Sequence, residues 1–259
     1  MFEPTAQTLV CVIGNLRGGH LAWTSLRERV LVPLRADLAV LASYKADVSS
    51  AFPDAKHVWR VGEPADDWAA LLNETLPASW RDSVIARGNV WGGLHWQKPR
   101  WRMARQLSGS GAIVLVLRLA LLNFLDSLRG HSYRHVVVTR SDHYYACDHP
   151  PITLAPDELL VPTGNGWSGL RAEGVTDRHT IFTFSARRKV LSPLAWLVAG
   201  HDEARFENVE MVLRQYYRTQ HLHVKTFPRV MFGIWRPAAG DRRRWWFSSR
   251  HVQWPSVHG

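Results

Sequence analysis

The chain has 259 residues, 46% of them apolar, and a formal charge of +10 at neutral pH. That apolar share belongs to a polypeptide that buries a core, which excludes a disordered chain, and the basic excess points to an anionic partner: nucleic acid, a phosphorylated sugar donor, a polyanionic acceptor or a membrane surface. The longest apolar run, Ile113 to Leu125, is interrupted by Arg118 and falls short of the roughly 20 residues that cross a bilayer, so it predicts a buried helix.

Read from the amino end, MFEPTAQTLVCVIG carries an acidic residue and no basic one before a short apolar run. It lacks the layout of a secretory signal, and a cytoplasmic protein is expected. Thr8 to Ile13 predicts a strand that closes on the glycine-rich turn Gly14, Asn15, Leu16, Arg17, Gly18, Gly19, ahead of a helix over about 21–32. Asp37 to Ala42 and His57 to Val61 predict further buried strands. Alternation of strand and helix predicts an α/β fold with a mostly parallel central sheet flanked by helices. Asp66 to Leu72 reads as a short capped helix, and Pro77 to Pro99 as a long irregular excursion.

A main helical region is expected from about Pro99 to Leu128, broken at Ser108 to Gly111, and it leads into HVVVTRSDHYY, residues 135–145. There an apolar β-branched run stops at Arg140, Ser141 and Asp142, placing charge at the carboxyl edge of a sheet, where open α/β folds hold their ligands. Glu158 to Val161 and Thr180 to Phe184 predict two more strands, with a loop around residues 164–169 between them. Ser185 is expected to cap a helix that Pro193 splits. Val209, Val212, Leu213 and Tyr216 recur at helical spacing, and the tail from Asp241, with Arg242, Arg243, Arg244, Trp245 and Trp246, is basic and aromatic.

Several of these positions can carry chemistry. The glycines of Gly14 to Gly19 let a nucleotide approach the backbone, with Arg17 beside it, although the turn lacks the lysine and hydroxyl of a Walker loop and does not match GxGxxG. Arg140 offers a planar fork for phosphate oxygens, and Asp142 can ligate a hard divalent cation. Asp177, Arg178 and His179 place a carboxylate and an imidazole before a strand, where they can accept a proton or equally form a loop-fixing ion pair. Glu210 sits off the apolar stripe of its helix, as a cleft acid or a solvated one. His221 and His223 alternate on an expected strand and share a face with Lys225, whose ammonium can neutralise a diphosphate. The two cysteines, Cys11 and Cys147, have no metal-ligand spacing and fit a reducing compartment. The thirteen tryptophans stack on sugar faces as readily as on bases, with core packing the plainer use of most.

Taken in order, three segments carry a resemblance. VCVIGNLRGGHLAWTSLRERVLVPLRADLAVLAS (10–43), YRHVVVTRSDHYY (133–145) and GVTDRHTIFTFS (174–185) resemble, respectively, the first strand with its Gly-x-x-Arg loop and second strand, the Arg-x-Asp strand end, and the Asn-Asp-Arg-Phe segment of small GT-A type glycosyltransferases found in bacteria and large DNA viruses. The resemblance covers roughly residues 8–220. It implies one GT-A-like catalytic domain, with a nucleotide-sugar-binding half over about 8–145, an acceptor-side half over about 146–235 and the basic tail over 236–259. It also implies a nucleoside diphosphate sugar donor, taken as a UDP-sugar, and a glycan or glycoconjugate acceptor.

A manganese or magnesium ion is implied near Asp142. Gly14, Asn15, Arg17, Arg140, Arg178, His179 and Lys225 would bind the donor, and Asp177 or Glu210 would act in catalysis. The chain departs from the pattern at Thr176, where an asparagine is usual, at His179, where an aromatic is usual, and at Arg140, which stands where other GT-A enzymes carry the first carboxylate of Asp-x-Asp. Two other classes fit parts of the sequence. A sulfotransferase would use the glycine turn as a phosphate loop, and a non-catalytic nucleic-acid-binding protein would use the charge and the tail. No obligate nucleic acid is expected, and the tail would allow peripheral contact with an anionic surface.

Overall fold

In the computed structural model, residues 6–62, 68–80, 82–83, 95–97, 106–108, 110–128, 133–163, 175–200 and 209–233 are described. The basic tail and the loop around residues 164–169 lie outside them, as do most of Pro77 to Pro99 and the first residues of the helix expected from Asp66. The strands are β1 (Thr8–Ile13), β2 (Asp37–Ser43), β3 (His57–Val61), β4 (His95–Gln97), β5 (Gln106–Ser108), β6 (His135–Thr139), β7 (His143–Tyr145), β8 (Glu158–Pro162), β9 (Thr180–Thr183), β10 (His223–Phe227) and β11 (Met231–Gly233). The principal helices are α1 (Gly19–Leu26), α2 (Trp68–Thr75), α3 (Ser110–Ser127), α4 (Arg187–Leu191), α5 (Pro193–Val198) and α6 (Val209–Thr219).

Seven strands form the central sheet in the order β10-β8-β9-β6-β1-β2-β3. All neighbours run parallel except β9, which is antiparallel to both β6 and β8. All six residues of β1 are buried, because helices cover both faces, and this explains why TLVCVI is a continuous apolar run with no alternation. On one face Leu9, Cys11, Leu41, Val136 and Val138 pack with Leu115, Leu119, Leu121 and Leu125 of α3. On the other, Val10, Val12, Val40, Val137 and Ile181 pack with Leu26 and Val30 from the α1 side. Cys11 is buried in β1, Cys147 is exposed, and neither is in a disulfide. Among the described residues no helix is long and apolar enough to cross a membrane.

After α1 the helix widens into a π turn over Arg27–Leu31 before a last α turn, Val32–Leu34. The Arg29 carbonyl there accepts from the His149 backbone N–H at 2.7 Å, which docks the stretch after β7 onto the helix. Strand β7 itself pairs antiparallel with β11, so the segment that follows β10 returns to the tip of β6.

Four expectations are corrected. His57 to Val61, expected as a buried strand, is the sheet-edge strand β3, buried at Val61 but half-buried elsewhere and exposed at Val58. The helix expected from Pro99 begins at Ser110, since Gln106–Ser108 is extended and pairs with His95–Gln97; the polar and glycine break marks its start. Ser185 lies inside a 3-10 turn, Phe184–Ala186, with its hydroxyl 3.1 Å from that of Thr183, and Ala186 precedes α4 without a side-chain cap. Pro193 does split the helix, standing at the first position of α5. His221 is not on a strand: it takes a left-handed turn conformation, φ 54°, so it does not alternate with His223.

Candidate functional site

The chain leaves β1 for β2 on one side, while β6 lies on the other. The carboxyl ends of β1 and β6 therefore flank the point where strand order reverses, and a crevice opens there as it does in open α/β sheets generally. A cavity of about 360 Å³ occupies it, lined by Ile13, Gly14, Asn15 and Arg17 after β1, by Thr139, Arg140 and Asp142 after β6, by Asp177 and Arg178 before β9, and by Ile113, Val114 and Leu117 of α3. The reversed direction of β9 is what delivers Asp177 and Arg178, since its first residue meets the last residues of β6.

Ser141 locks the two loops together. Its hydroxyl donates to the Asn15 carbonyl at 2.9 Å and accepts from the Arg17 backbone N–H at 2.8 Å. The Trp23 indole N–H donates to the Arg17 carbonyl at 3.0 Å. Gly18, at φ 90°, lies so close to the β6 tip that a Cβ there would stand 2.8 Å from the Ser141 carbonyl oxygen and 2.9 Å from the Asp142 Cα. Sequence reading marked the glycine turn for ligand approach; its tightest glycine instead serves contact with the strand end.

Asp142 is held by Arg140 in a two-point fork, Nε to Oδ1 at 2.8 Å and Nη2 to Oδ2 at 2.6 Å. Burial opposes ionisation of this carboxyl, and the Arg140 fork outweighs it and keeps the group below the usual carboxylate range. Asp177 is largely buried. Its Oδ1 has no hydrogen-bond partner among the described residues, and the Arg178 guanidinium stands 3.8 Å away. Glu210, in the first turn of α6, is half-buried; burial, and then the neighbouring Asp177 charge, hold its carboxyl above its usual range. Asp177 lines the cavity, and its charge acts on Glu210 close by.

Beneath them lies Arg118, a wholly buried cation on α3. It donates to the Tyr217 hydroxyl at 2.9 Å, to Thr180 Oγ1 at 3.1 Å and to the Asp177 carbonyl at 3.4 Å, so one guanidinium ties α3, α6 and the approach to β9. The sequence signalled it as the one charge inside the apolar run Ile113 to Leu125, and its role in holding the Asp177 turn was not legible. Arg118→Met should lower unfolding stability by about 1–3 kcal/mol, the usual cost of stranding buried hydrogen-bonding groups, read as a lower urea midpoint at unchanged slope.

Two expected site residues lie elsewhere. His179 is fully buried on the other side of the sheet end, its Nδ1 3.2 Å from Thr139 Oγ1 and 3.4 Å from the Tyr145 hydroxyl, its ring against His149 and Phe227. Neighbouring residues in an extended segment point to opposite faces, so Asp177 and His179 could share the cavity only if the turn between them were regular; it is not, and Thr176 Oγ1 accepts from the Arg178 N–H within it. Lys225 lies on the edge strand β10, three strands from β6, where it pairs with Glu158 and not with the cavity. His223 is exposed beside Asp157 at 3.6 Å.

Among the described residues no three His, Cys, Asp or Glu side chains converge as a metal site would require. The donor set at the β6 tip is one carboxylate whose two oxygens both already accept from Arg140, and it does not fit a divalent cation as it stands. A larger cavity, about 710 Å³, lies between α1 and the β2 side, lined by Trp23, Phe52, Arg35, Asp37 and Lys56. It opens toward the amino end of β2, where Lys56 pairs with Asp37 at 2.7 Å, and it lacks the convergence of strand ends and glycine loop.

No protein-family model matches the chain, and no curated protein matches it. Fold and cavity together define an α/β protein with a mostly parallel seven-stranded sheet and a ligand crevice at its switch point.

Proposed function

We propose that this protein is a GT-A type glycosyltransferase that moves a sugar from a nucleoside diphosphate donor, with UDP-sugars favoured, to a glycan or glycoconjugate acceptor. The observation that supports it best is the meeting of three separate segments, Gly14 to Arg17, Arg140 to Asp142 and Asp177 to Arg178, around one cavity. Its volume of about 360 Å³ is of the size that ligand sites occupy.

Glycosyl transfer develops negative charge on the departing diphosphate while the anomeric carbon becomes cationic. The Gly14 to Arg17 turn would carry the nucleotide along its backbone, and the guanidinium groups of Arg17, Arg140 and Arg178 would meet the phosphates. Asp177, with its unpartnered oxygen, would take the proton of the acceptor hydroxyl or stabilise the sugar cation. Glu210, held more readily protonated by burial and by the Asp177 charge, would stand next to it as the second carboxyl. A manganese or magnesium ion at Asp142 would require that carboxylate to release Arg140, and no step is routed through one.

A thermal-shift panel of UDP, GDP, CDP, adenosine bisphosphate and duplex DNA, each with and without manganese, tests the reading. One nucleoside diphosphate should raise the melting midpoint, reaching about 2.7 kcal/mol of stabilisation at a hundredfold excess over Kd. Asp177→Asn should keep that shift and lose sugar transfer or donor hydrolysis by roughly 10²–10⁴-fold. Stabilisation by adenosine bisphosphate alone would mean sulfuryl transfer, stabilisation by DNA alone a nucleic-acid-binding protein, and either result ends the glycosyltransferase reading.

A further inference from the structure

We propose that the site holds its diphosphate with arginines and without a divalent cation: Arg17 and Arg178 receive the phosphate oxygens, and Asp142 serves to aim Arg140. The inference rests on the nucleoside diphosphate reading above for its biological ligand, and on the charge layout alone for its chemistry.

Of the three guanidinium groups that line the crevice, Arg140 alone, among the described residues, is held by a carboxylate in a two-point fork. Its Nε and Nη2 are spent on Asp142, while Nη1 has no hydrogen-bond partner among the described residues. The Arg17 side chain is exposed at the cavity with no ion-pair partner among the described residues, and its backbone is fixed on both sides, by Ser141 and by Trp23. Arg178 has only the 3.8 Å contact with Asp177 and keeps 46% of its side chain exposed.

Arg17 and Arg178 thus line one cavity with no carboxylate contact closer than that 3.8 Å among the described residues, an arrangement that an anion would relieve. Guanidinium forks suit paired phosphate oxygens better than a point charge does. A metal at Asp142 would instead free the Arg140 fork and add a further uncompensated cation to the cluster.

Inorganic pyrophosphate titrated calorimetrically into the full-length protein, in excess chelator, separates the two designs. Binding is expected without metal. It should weaken at least tenfold in Arg178→Gln and in Arg17→Gln, and by less in Arg178→Lys, which keeps the charge and loses the fork. It should persist in Asp142→Asn, whose amide oxygen still accepts from Arg140, and in Arg35→Gln, a control on the other cavity. Binding that appears only with manganese and vanishes in Asp142→Asn would overturn the proposal, and so would equal weakening by Arg35→Gln, which would mark diffuse attraction to a basic surface. Parallel titrations with the nucleoside diphosphates keep the two readings apart. Pyrophosphate binding with no nucleoside diphosphate binding leaves the arginine site standing and removes sugar transfer; nucleoside diphosphate binding that demands manganese does the reverse.

Discussion

Gly18→Ala is expected to cost about 2–4 kcal/mol of stability and to abolish nucleoside diphosphate binding even where the variant still folds. The added methyl would meet the Ser141 carbonyl oxygen at 2.8 Å, the Asp142 Cα at 2.9 Å and the Ala22 Cβ at 2.8 Å. Two of these are backbone atoms and the third is an alanine Cβ, so a rotamer change cannot relieve them. The residue also sits at φ 90°, ψ −34°, a region that costs a side-chain-bearing residue on the order of 1–3 kcal/mol, and forced overpacking costs a similar amount. Relief comes only by moving the glycine turn away from the β6 tip, which breaks the Ser141 bonds to Asn15 and Arg17 and widens the crevice. Chemical denaturation measures the stability loss, and a thermal shift with the nucleoside diphosphate that stabilises the parent measures the binding loss. A variant as stable as the parent and equally stabilised by ligand would show that the turn does not depend on that contact.

The second large effect is acid lability well above the pH at which carboxylates titrate. His143 and His179 are buried around Thr139 and Tyr145, with His149 against His179. Burial, with the net effect of surrounding cations, pushes His143 down to about 3; burial and the two neighbouring imidazoles push His179 well below its ordinary value; burial lowers His149 against a bond to the Pro150 carbonyl. Each imidazole is therefore neutral in the folded protein and takes a proton on unfolding once the pH drops below about 6.5. The depressed folded values mean that stability is whole above that pH and is lost as the pH falls toward 3. The slope is about 1.4 kcal/mol per pH unit for each histidine fully engaged, so His143 and His179 together give about 3 kcal/mol per unit. Carboxylates held low, Asp142 among them, add their own loss only below about pH 4. Urea unfolding at pH 7, 6 and 5 should show the decline, and His179→Gln should remove about one proton from the slope. Equal stability at pH 7 and 5 would sink it.

Much of the sheet was legible. The buried parallel strands β1, β2 and β6 announce themselves because both faces are covered, so β-branched and aliphatic residues run without a break. The convergence of Gly14, Arg17, Arg140, Asp142 and Asp177 followed from the order of those segments. What escaped was decided by partners far along the chain. Strands β5, β7 and β11 have three residues each, too few to show a period, and exist through pairing. Ser141 reads as a small polar residue between two charged ones, yet it bridges 126 positions to Asn15. His179 looked like a neighbour of Asp177 and is sent to the opposite side of the sheet end by an irregular turn.

The single reversed strand has a consequence for how such a crevice can change. Because β9 presents its beginning to the ligand, the carboxylate arrives at the end of residues 163–179, a connection that starts on the same edge where β8 stops. Insertions or deletions in that connection can reshape one wall of the crevice while the ladder registers on either side of β9 stay fixed. If the proposed sugar transfer holds, variation in the acceptor is expected to concentrate there, and variation in the diphosphate contacts at the two loops pinned by Ser141.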